Sequence, residues 1–525
     1  MSTLRWSMFV VVSLVLGASA SAQQAAPPPT PPASPTSSSG PVLELSMEQA
    51  VTMALETNLG LKADRLGTNI AAQNIAAARA AFRPLLRSSF SRSTSDQLPT
   101  NFIESDVSVV SSGSTSVSSS LDQALPRFGG AYSVRWSGNR STTTSETNPF
   151  NPRTGSSVSL SYNQPLFRNF RIDEARFQLQ EAQQNRRIAD LTLEQRITRT
   201  SNDVQQAYLN LIGAIEGLKV AQQNMDLAQE TLKNFRARVA VGVSADIEVI
   251  QAEAQVASNE ESVVVAEAQI DTSEDALRAL ILDPARPDYW QVKLQPSDAI
   301  TAVPREVDVD AAVRNALANR IDLITLRRQQ EITSLGIRLS ENLTKPDISF
   351  GLNYTAQGTG GTQFQFGSGF PPEVLGRTNR AFSNVLSDAF LGTYPSWTAG
   401  VTFSYPIGLS AEKATLARNQ LQQRQENLSL QNLELQVTTQ VRNAARAVQS
   451  NFKRVEATQK ARQATERQLD AEQRKFGVGL SSSFELQQRQ RDLAAARILE
   501  LNAMLAYNRA LIELERVQKI PAGGL

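Results

Sequence analysis

Between Ile172 and Val239 apolar residues recur at steps of three and four with little interruption, Arg186 and Thr200 being the exceptions and Leu193 to Ile197 a four-step where a three is due. They run Ile172, Ala175, Leu179 and Ala182, then Ala189, Leu193, Ile197, Val204, Ala207, Leu211, Ala214, Leu218, Ala221, Met225, Ala228, Leu232, Phe235 and Val239. Sustained alternation of this kind predicts a coiled-coil helix, and its many alanines allow close approach of neighbours. At ~1.5 Å per residue the helix is ~100 Å long, a length suited to crossing a compartment rather than filling one globular core. A second such helix is predicted over 411–476, with Leu421, Leu428, Leu435, Val441, Val448, Val455, Leu469 and Phe476 on heptad positions. Returning helices follow at 246–281 and 482–517, and short ones at 46–57 and 309–320 lead into longer ones at 59–82 and 323–343. Pro284, Pro287 and Pro296 keep 284–305 out of helix, and its Tyr289-Trp290-Gln291-Val292 is expected to pack as a collar around the middle of the long helices.

Period-two alternation predicts strands elsewhere. Ile348, Phe350, Leu352 and Tyr354 alternate with Ser349, Gly351 and Asn353; Trp397, Ala399, Val401, Phe403 and Tyr405 alternate with Thr398, Gly400, Thr402 and Ser404. One apolar and one small-polar face over about ten residues fits a transmembrane barrel strand lining a wet lumen, although a half-buried strand of a soluble sheet shows the same alternation. Val158, Leu160 and Tyr162 form a third strand near 156–164. Leu86, Ser88 and Phe90 form a weaker one near 84–93. Four strands cannot close a barrel alone, and an open edge in lipid is prohibitive, so strands in a membrane require several chains to share one barrel. Tyr132, Val134 and Trp136 also alternate, and a hairpin near 105–137 either joins the sheet or lies outside it. The Ser-rich 93–120 and the initially Gly-rich 357–396 read as long external loops.

These elements come twice. Gly242-Val243-Ser244 returns as Gly479-Leu480-Ser481, 237 residues on; Pro84 returns as Pro346, Pro165 as Pro406, and Ala50-Val51-x-x-Ala54-Leu55 as Ala312-Val313-x-x-Ala316-Leu317. So long a period is a duplicated half rather than a solenoid unit. Residues 43–283 form the first repeat, 284–305 an equatorial linker, 306–519 the second repeat and 520–525 a tail. Pro165 to Gly242 spans 77 positions and Pro406 to Gly479 spans 73. The four-residue surplus is expected inside the first long helix, as a stutter at Leu193–Ile197.

Composition narrows the chemistry. Arg5, an apolar run from Met8 to Gly17 and Ala20-Ser21-Ala22 read as a secretory signal over 1–22, with the mature chain starting at Gln23. The run is too short to span a bilayer. A Pro- and Ser-rich linker over 23–42 follows. Lys and Arg number 52 against 51 Asp and Glu, which gives no pull toward nucleic acid or anionic lipid. Without a single Cys or His, disulfides, thiolate nucleophiles, His bases and His/Cys metal sites are excluded. No carboxylate pair stands in a recognisable catalytic context, so no enzyme, cofactor or metal is expected.

In the order, spacing and duplication of these motifs the chain resembles the TolC-like outer-membrane efflux protein family over essentially all its mature length. The carrying residues are Gln164-Pro165-Leu166-Phe167 and Tyr405-Pro406-Ile407-Gly408, and the turns Val241-Gly242-Val243-Ser244 and Val478-Gly479-Leu480-Ser481, each followed by an acidic residue. The resemblance implies a mainly α protein with a β-barrel part. Three copies would each give four strands to a shared twelve-stranded outer-membrane barrel and their long helices to a periplasmic tunnel. It further implies a passive exit duct docking a periplasmic adaptor and an inner-membrane pump or ABC exporter, for tripartite efflux or type I secretion. Pro84, Pro165, Pro346 and Pro406 would mark strand–helix junctions. The two turns would be tips that meet the adaptor, while their glycines also serve simply as positive-φ turns.

By the same resemblance Glu485 matches the principal gate acid and Glu248 its first-repeat counterpart, with Gln488 where some members carry a second acid. Rings of such carboxylates favour cations and repel one another. Both also have ordinary helix-start roles: Ser482-x-x-Glu485 is a capping box, and Glu248 lies in a first helical turn. Some members latch the tip with Tyr and Arg, where this chain has Phe476 and Ser481. A substitute latch is then expected from Arg474, Lys475 or Arg238. Lipid-anchored relatives carry an N-terminal Cys that is lacking here. The competing readings are a non-conducting periplasmic coiled-coil adaptor or surface scaffold and, more remotely, a glycan-acting enzyme with paired carboxylates.

Overall fold

The computed structural model describes residues 41–99, 108–145, 148–242, 245–368, 373–408 and 410–519. The expected signal segment, all of the linker but its last two residues, and the tail lie outside them. In chain order the elements are β1 (Val42–Leu45), α1 (Met47–Thr57), α2 (Leu59–Ala80), β2 (Leu85–Gln97), β3 (Val110–Ala124), β4 (Ala131–Thr143) and β5 (Phe150–Pro165). Then come α3 (Glu174–Ala240), α4 (Asp246–Ile281), β6 (Lys293–Pro296), α5 (Val309–Asn319), α6 (Ile321–Leu343), β7 (Asp347–Phe366), β8 (Val374–Arg380), α7 (Phe382–Leu391), β9 (Pro395–Ser404), α8 (Ala411–Gly477) and α9 (Ser483–Val517). The molecule is mostly helical, with one large sheet. Among the described residues no helix is long and apolar enough to cross a membrane.

The sheet runs β2-β3-β4-β5-β7, every pair antiparallel. Both β8 and β9 pair with the remaining edge of β7, β9 along Asp347–Ala356 and β8 along Gly361–Phe366. They form one strand position, interrupted by α7, which packs over β5 and β7. Among the described residues six strand positions therefore stand where four were expected. The stretches read as external loops are largely ordered sheet: 110–124 is β3, 357–366 continues β7, 374–380 is β8 and 382–391 is α7. The hairpin β3–β4 sits between β2 and β5 in unbroken register.

That register sorts the side chains by face. One row reads Leu86, Leu121, Val134, Leu160, Tyr354, Trp397 across all six positions. The row beside it reads Arg87, Ser120, Arg135, Ser159, Thr355, Ser396. Every member of the apolar row is at least 37 % exposed. Farther from the helices α7 packs over this same face, setting Val385 against Gly358 and Gly360 and Phe382 near Gly138, and leaves this row open. On the polar face serines bridge neighbouring strands, as Ser89–Ser118 and Ser137–Ser157, each at 2.8 Å.

The helix-proximal end of the sheet is tightly seated. The β3–β4 turn, residues 125–130, stacks Phe128 on Phe170 at 5.1 Å. Gln164 Nε2 donates to the Phe128 carbonyl at 2.8 Å. Gly129, with φ +69°, comes so close to the Asn169 carbonyl that a Cβ would lie 2.4 Å from it. Arg176 reaches back to Asp173 and to the carbonyls of Asn169 and Phe170. This loop holds the four surplus residues. Both long helices have 67 residues, so the surplus falls in the junction 166–173 and not at Leu193–Ile197.

In the long helices α3 buries side chains only between Asn202 and Phe235, and α8 only between Val437 and Leu469. Around the middle of α3, β1 and β6 pair in parallel and build a collar with a core of Leu45, Leu211, Leu277, Ile281, Val292 and Leu294. Tyr208 pins it. Its hydroxyl lies 3.0 Å from the Leu45 carbonyl and 2.9 Å from an Asp298 carboxylate oxygen. Burial, reinforced by Asp298, pushes this phenol up to about 12, so it stays a proton donor.

Candidate functional site

The two helical hairpin tips hold the residues that the sequence singles out for gating and docking. Each turn follows from backbone chemistry. At the second tip the Leu480 N–H donates to the Lys475 carbonyl at 2.9 Å and the Gly479 N–H to that of Phe476 at 3.2 Å. This is a Schellman cap with Gly479 at its left-handed position, φ +78°. Gly242 has φ +72° at the first tip and its N–H reaches Val239 at 2.9 Å. Both glycines have open space around them, so conformation rather than crowding requires them. Val243 and Ser244 lie outside the described residues. Leu480 is 79 % exposed, and Ser481 turns inward to hydrogen-bond Glu472.

Phe476 is the centre of the contact between the tips. Its ring meets the fully buried Phe235 of α3 edge-on, with centroids 5.5 Å apart. The Arg238 guanidinium lies 4.3 Å from its centroid, and Nη1 of Arg238 donates to the Phe476 carbonyl at 3.4 Å. Of the three basic residues considered for a latch, Arg238 alone bridges the two helices here. Arg474 pairs with Asp470 at 2.7 Å and Lys475 with Glu472 at 3.4 Å, both within α8. The missing tyrosine hydroxyl is bypassed, since the ring face and backbone carbonyl accept the cation instead. Phe235 and Glu472 were not among the sequence candidates. The first reads as an ordinary heptad position, and the second becomes distinctive only once Ser481 folds back onto it.

The acidic candidates sit apart. Glu485 is exposed; its N–H donates to Ser482 Oγ at 3.2 Å while its carboxylate lies 4.0 Å from Arg489. Half of the capping box is thus formed, the carboxylate facing along the helix rather than back to the cap. Gln488 bonds within α9, to Asp492 at 2.9 Å and from Arg491 at 3.1 Å. Glu248 is half-buried, and one of its carboxylate oxygens is buried with no hydrogen-bond partner. Among the described residues no hydrogen bond or ion pair joins Glu248 to Glu485. Glu472 is held below the usual carboxylate range, first by the Ser481 hydroxyl and then by Lys475. The junction prolines stand at strand ends: Pro84 and Pro346 just before β2 and β7, Pro165 closing β5 and Pro406 just after β9.

The architecture is thus a two-faced sheet carried on ~100 Å helices that end in capped hairpin tips. The chain belongs to the outer membrane efflux protein family, whose sequence profile matches residues 110–281 and 312–517. No curated protein sequence matches it. Among solved structures it is similar to CusC, with 16 % identity over 91 % of this chain and 92 % of that one, TM-score 0.64. The Campylobacter jejuni outer membrane channel CmeC shares 14 % identity over 90 % and 85 % of the two chains, TM-score 0.63. The Neisseria gonorrhoeae outer membrane channel MtrE, in its open state, shares 17 % over 90 % and 88 %, TM-score 0.61. At these identities the likeness is one of fold.

Proposed function

We propose that this protein is the outer-membrane exit duct of a tripartite efflux pump or type I secretion system. It is a passive homotrimeric channel-tunnel that takes its energy from an inner-membrane pump or ABC exporter through a periplasmic adaptor. The observation that carries this reading is the six-residue exposed apolar row beside an all-polar row. A face of this kind needs lipid against it, and its polar opposite needs water, which is the condition of a barrel wall. An adaptor or scaffold has no use for such a face. The halves before and after the collar are read as one duplicated unit. The tips Gly242–Ser244 and Gly479–Ser481 are read as the adaptor-docking ends, with Glu248, Glu485, Gln488 and Phe476 as the periplasmic gate.

Open seams on the long helices support several copies per duct: Leu421, Leu428 and Leu435 are 62 %, 67 % and 66 % exposed at heptad spacing. The deciding experiment is the native mass of the protein extracted with detergent from separated membranes, followed by bilayer conductance. A heat-labile, conducting trimer from the outer-membrane fraction is expected. A soluble periplasmic monomer or dimer overturns the reading.

A further inference from the structure

The hairpin β3–β4 changes the size of the barrel. We propose that each chain contributes six strand positions to the shared wall, so that three copies close an eighteen-stranded barrel. Its seams would join β2 of one copy to the β8/β9 edge of the next. This rests on the trimeric duct reading above and deepens it.

Two observations carry the proposal, and a general estimate of perimeter agrees with them. First, β3 and β4 are built into the wall. They pair with β2 and β5 in unbroken register and share their apolar and polar faces, and their turn is locked at the helix-proximal end by Phe128, Gly129 and the surplus residues of 166–173. An inserted hairpin and an inserted junction loop that receives it occur together.

Second, the free edges match each other. All 13 residues of β2 and all 10 of β9 are exposed. β2 runs away from the helices and β9 runs toward them, so the edges of two copies meet antiparallel. Six positions keep the up–down alternation that closure requires. The helices below repeat the arrangement. Contacts run α2 to α3, α3 to α6 and α6 to α8, leaving α2 and α8 as outer members. On α2, Leu59, Leu66 and Ile70 are exposed by 57 %, 59 % and 62 %. They lie 25, 18 and 14 residues before Pro84, while Leu421, Leu428 and Leu435 of α8 lie 15, 22 and 29 after Pro406. Two apolar stripes at matching depth, directly under the two strand edges, fit a second copy of this chain better than any other occupant.

An estimate of the circumferences agrees. Strands ~4.8 Å apart and tilted ~40° each occupy ~6.3 Å of perimeter, so eighteen span ~110 Å and twelve only ~75 Å. Four junction helices per chain give twelve helices, which at ~9.5 Å spacing span ~115 Å. Eighteen strands continue the helical wall with little taper.

The test uses the chain's lack of cysteine. Single substitutions in the hairpin, Ser118→Cys and Ser137→Cys on the polar face and Val117→Cys and Val134→Cys on the apolar face, are labelled in intact outer membranes with a membrane-impermeant maleimide. The oligomer of each variant is sized in the same preparation. Trimers in which the two polar-face positions label many-fold faster than the two apolar-face positions are expected. Trimers in which all four label alike would put the hairpin outside the lipid and overturn the eighteen-stranded barrel, leaving the duct intact. Absence of any trimer would overturn both. Strands counted in the trimer by electron microscopy provide the second measurement: eighteen are expected, and twelve overturn the proposal.

Discussion

Arg238 reaches from one tip to Phe476 of the other, and its chemistry sets what a substitution should do. A cation on an aromatic face contributes about 0.5–2 kcal/mol depending on exposure. Arg238→Ala is therefore expected to shift the closed–open balance of the tip about twofold to thirtyfold toward open, read as a rise in basal bilayer conductance. Arg238→Lys, which keeps the charge but loses the planar fork, should fall between; equal conductance in all three proteins would remove Arg238 from the gate. Glu248→Ala combined with Glu485→Ala should raise basal conductance and reduce cation preference, and unchanged selectivity would leave both as helix-start residues only. Glu472 gives the pH dependence. Because its carboxylate titrates below the ordinary range, the contact it makes with Ser481 is fully present above about 4.3, the usual glutamate value, and is lost as pH falls through the lowered one. The part of the conductance that depends on Glu472 should therefore be constant at neutral pH and change only once pH falls below the usual glutamate range. Ser481→Ala should move the onset to higher pH, and an onset unmoved by that change would detach Glu472 from closure.

At the level of elements, legibility followed the density of apolar residues. The long helices could be read because heptad spacing persists over dozens of residues, and β7 and β9 because aromatic and branched residues alternate along each strand alone. β3 could not. Its sequence, VSSGSTSVSSSLDQA, has only Val110, Val117 and Leu121 as large apolar residues, and its membership of the apolar face emerges from partners on β2 and β4 rather than from its own alternation. The placing of the four surplus residues failed for a related reason. A four-step in a heptad pattern looks like an insertion, yet the receiving site is a loop whose purpose depends on a turn some forty residues earlier in the chain. The pairing of Arg238 with Phe476 spans 238 residues and left no local trace. The caps were legible, since glycine after a heptad run has few other meanings. Gly479→Ala forces a side chain into the left-handed region at about 1–2 kcal/mol. It should speed amide hydrogen exchange across the last turn of α8 while leaving the collar around Tyr208 unchanged. Unaltered exchange at that turn would show that the cap does not hold the tip.

For the whole molecule, the pattern of burial is that of a part rather than a finished object. One chain covers the middle of its helices and leaves both outer stripes, both strand edges and the helix-proximal part of one sheet face bare. Leu428→Glu, which puts a charge on the α8 stripe without touching any buried residue of its own chain, should weaken the trimer strongly while leaving the helix content of each chain intact. The measurement is native mass after detergent extraction together with circular dichroism, and a trimer as heat-resistant as the parent would exclude α8 from the contact between copies.

The unfinished edges of β2 and β9 also bear on inheritance. A wall that closes only when every segment offers two good edges gives one faulty copy a veto over its neighbours. On the proposed trimeric duct, a cell making equal amounts of sound chain and of a chain with proline blocking β9 would have about one trimer in eight free of the faulty copy. Such an allele should therefore behave as dominant, silencing most export even beside an intact gene.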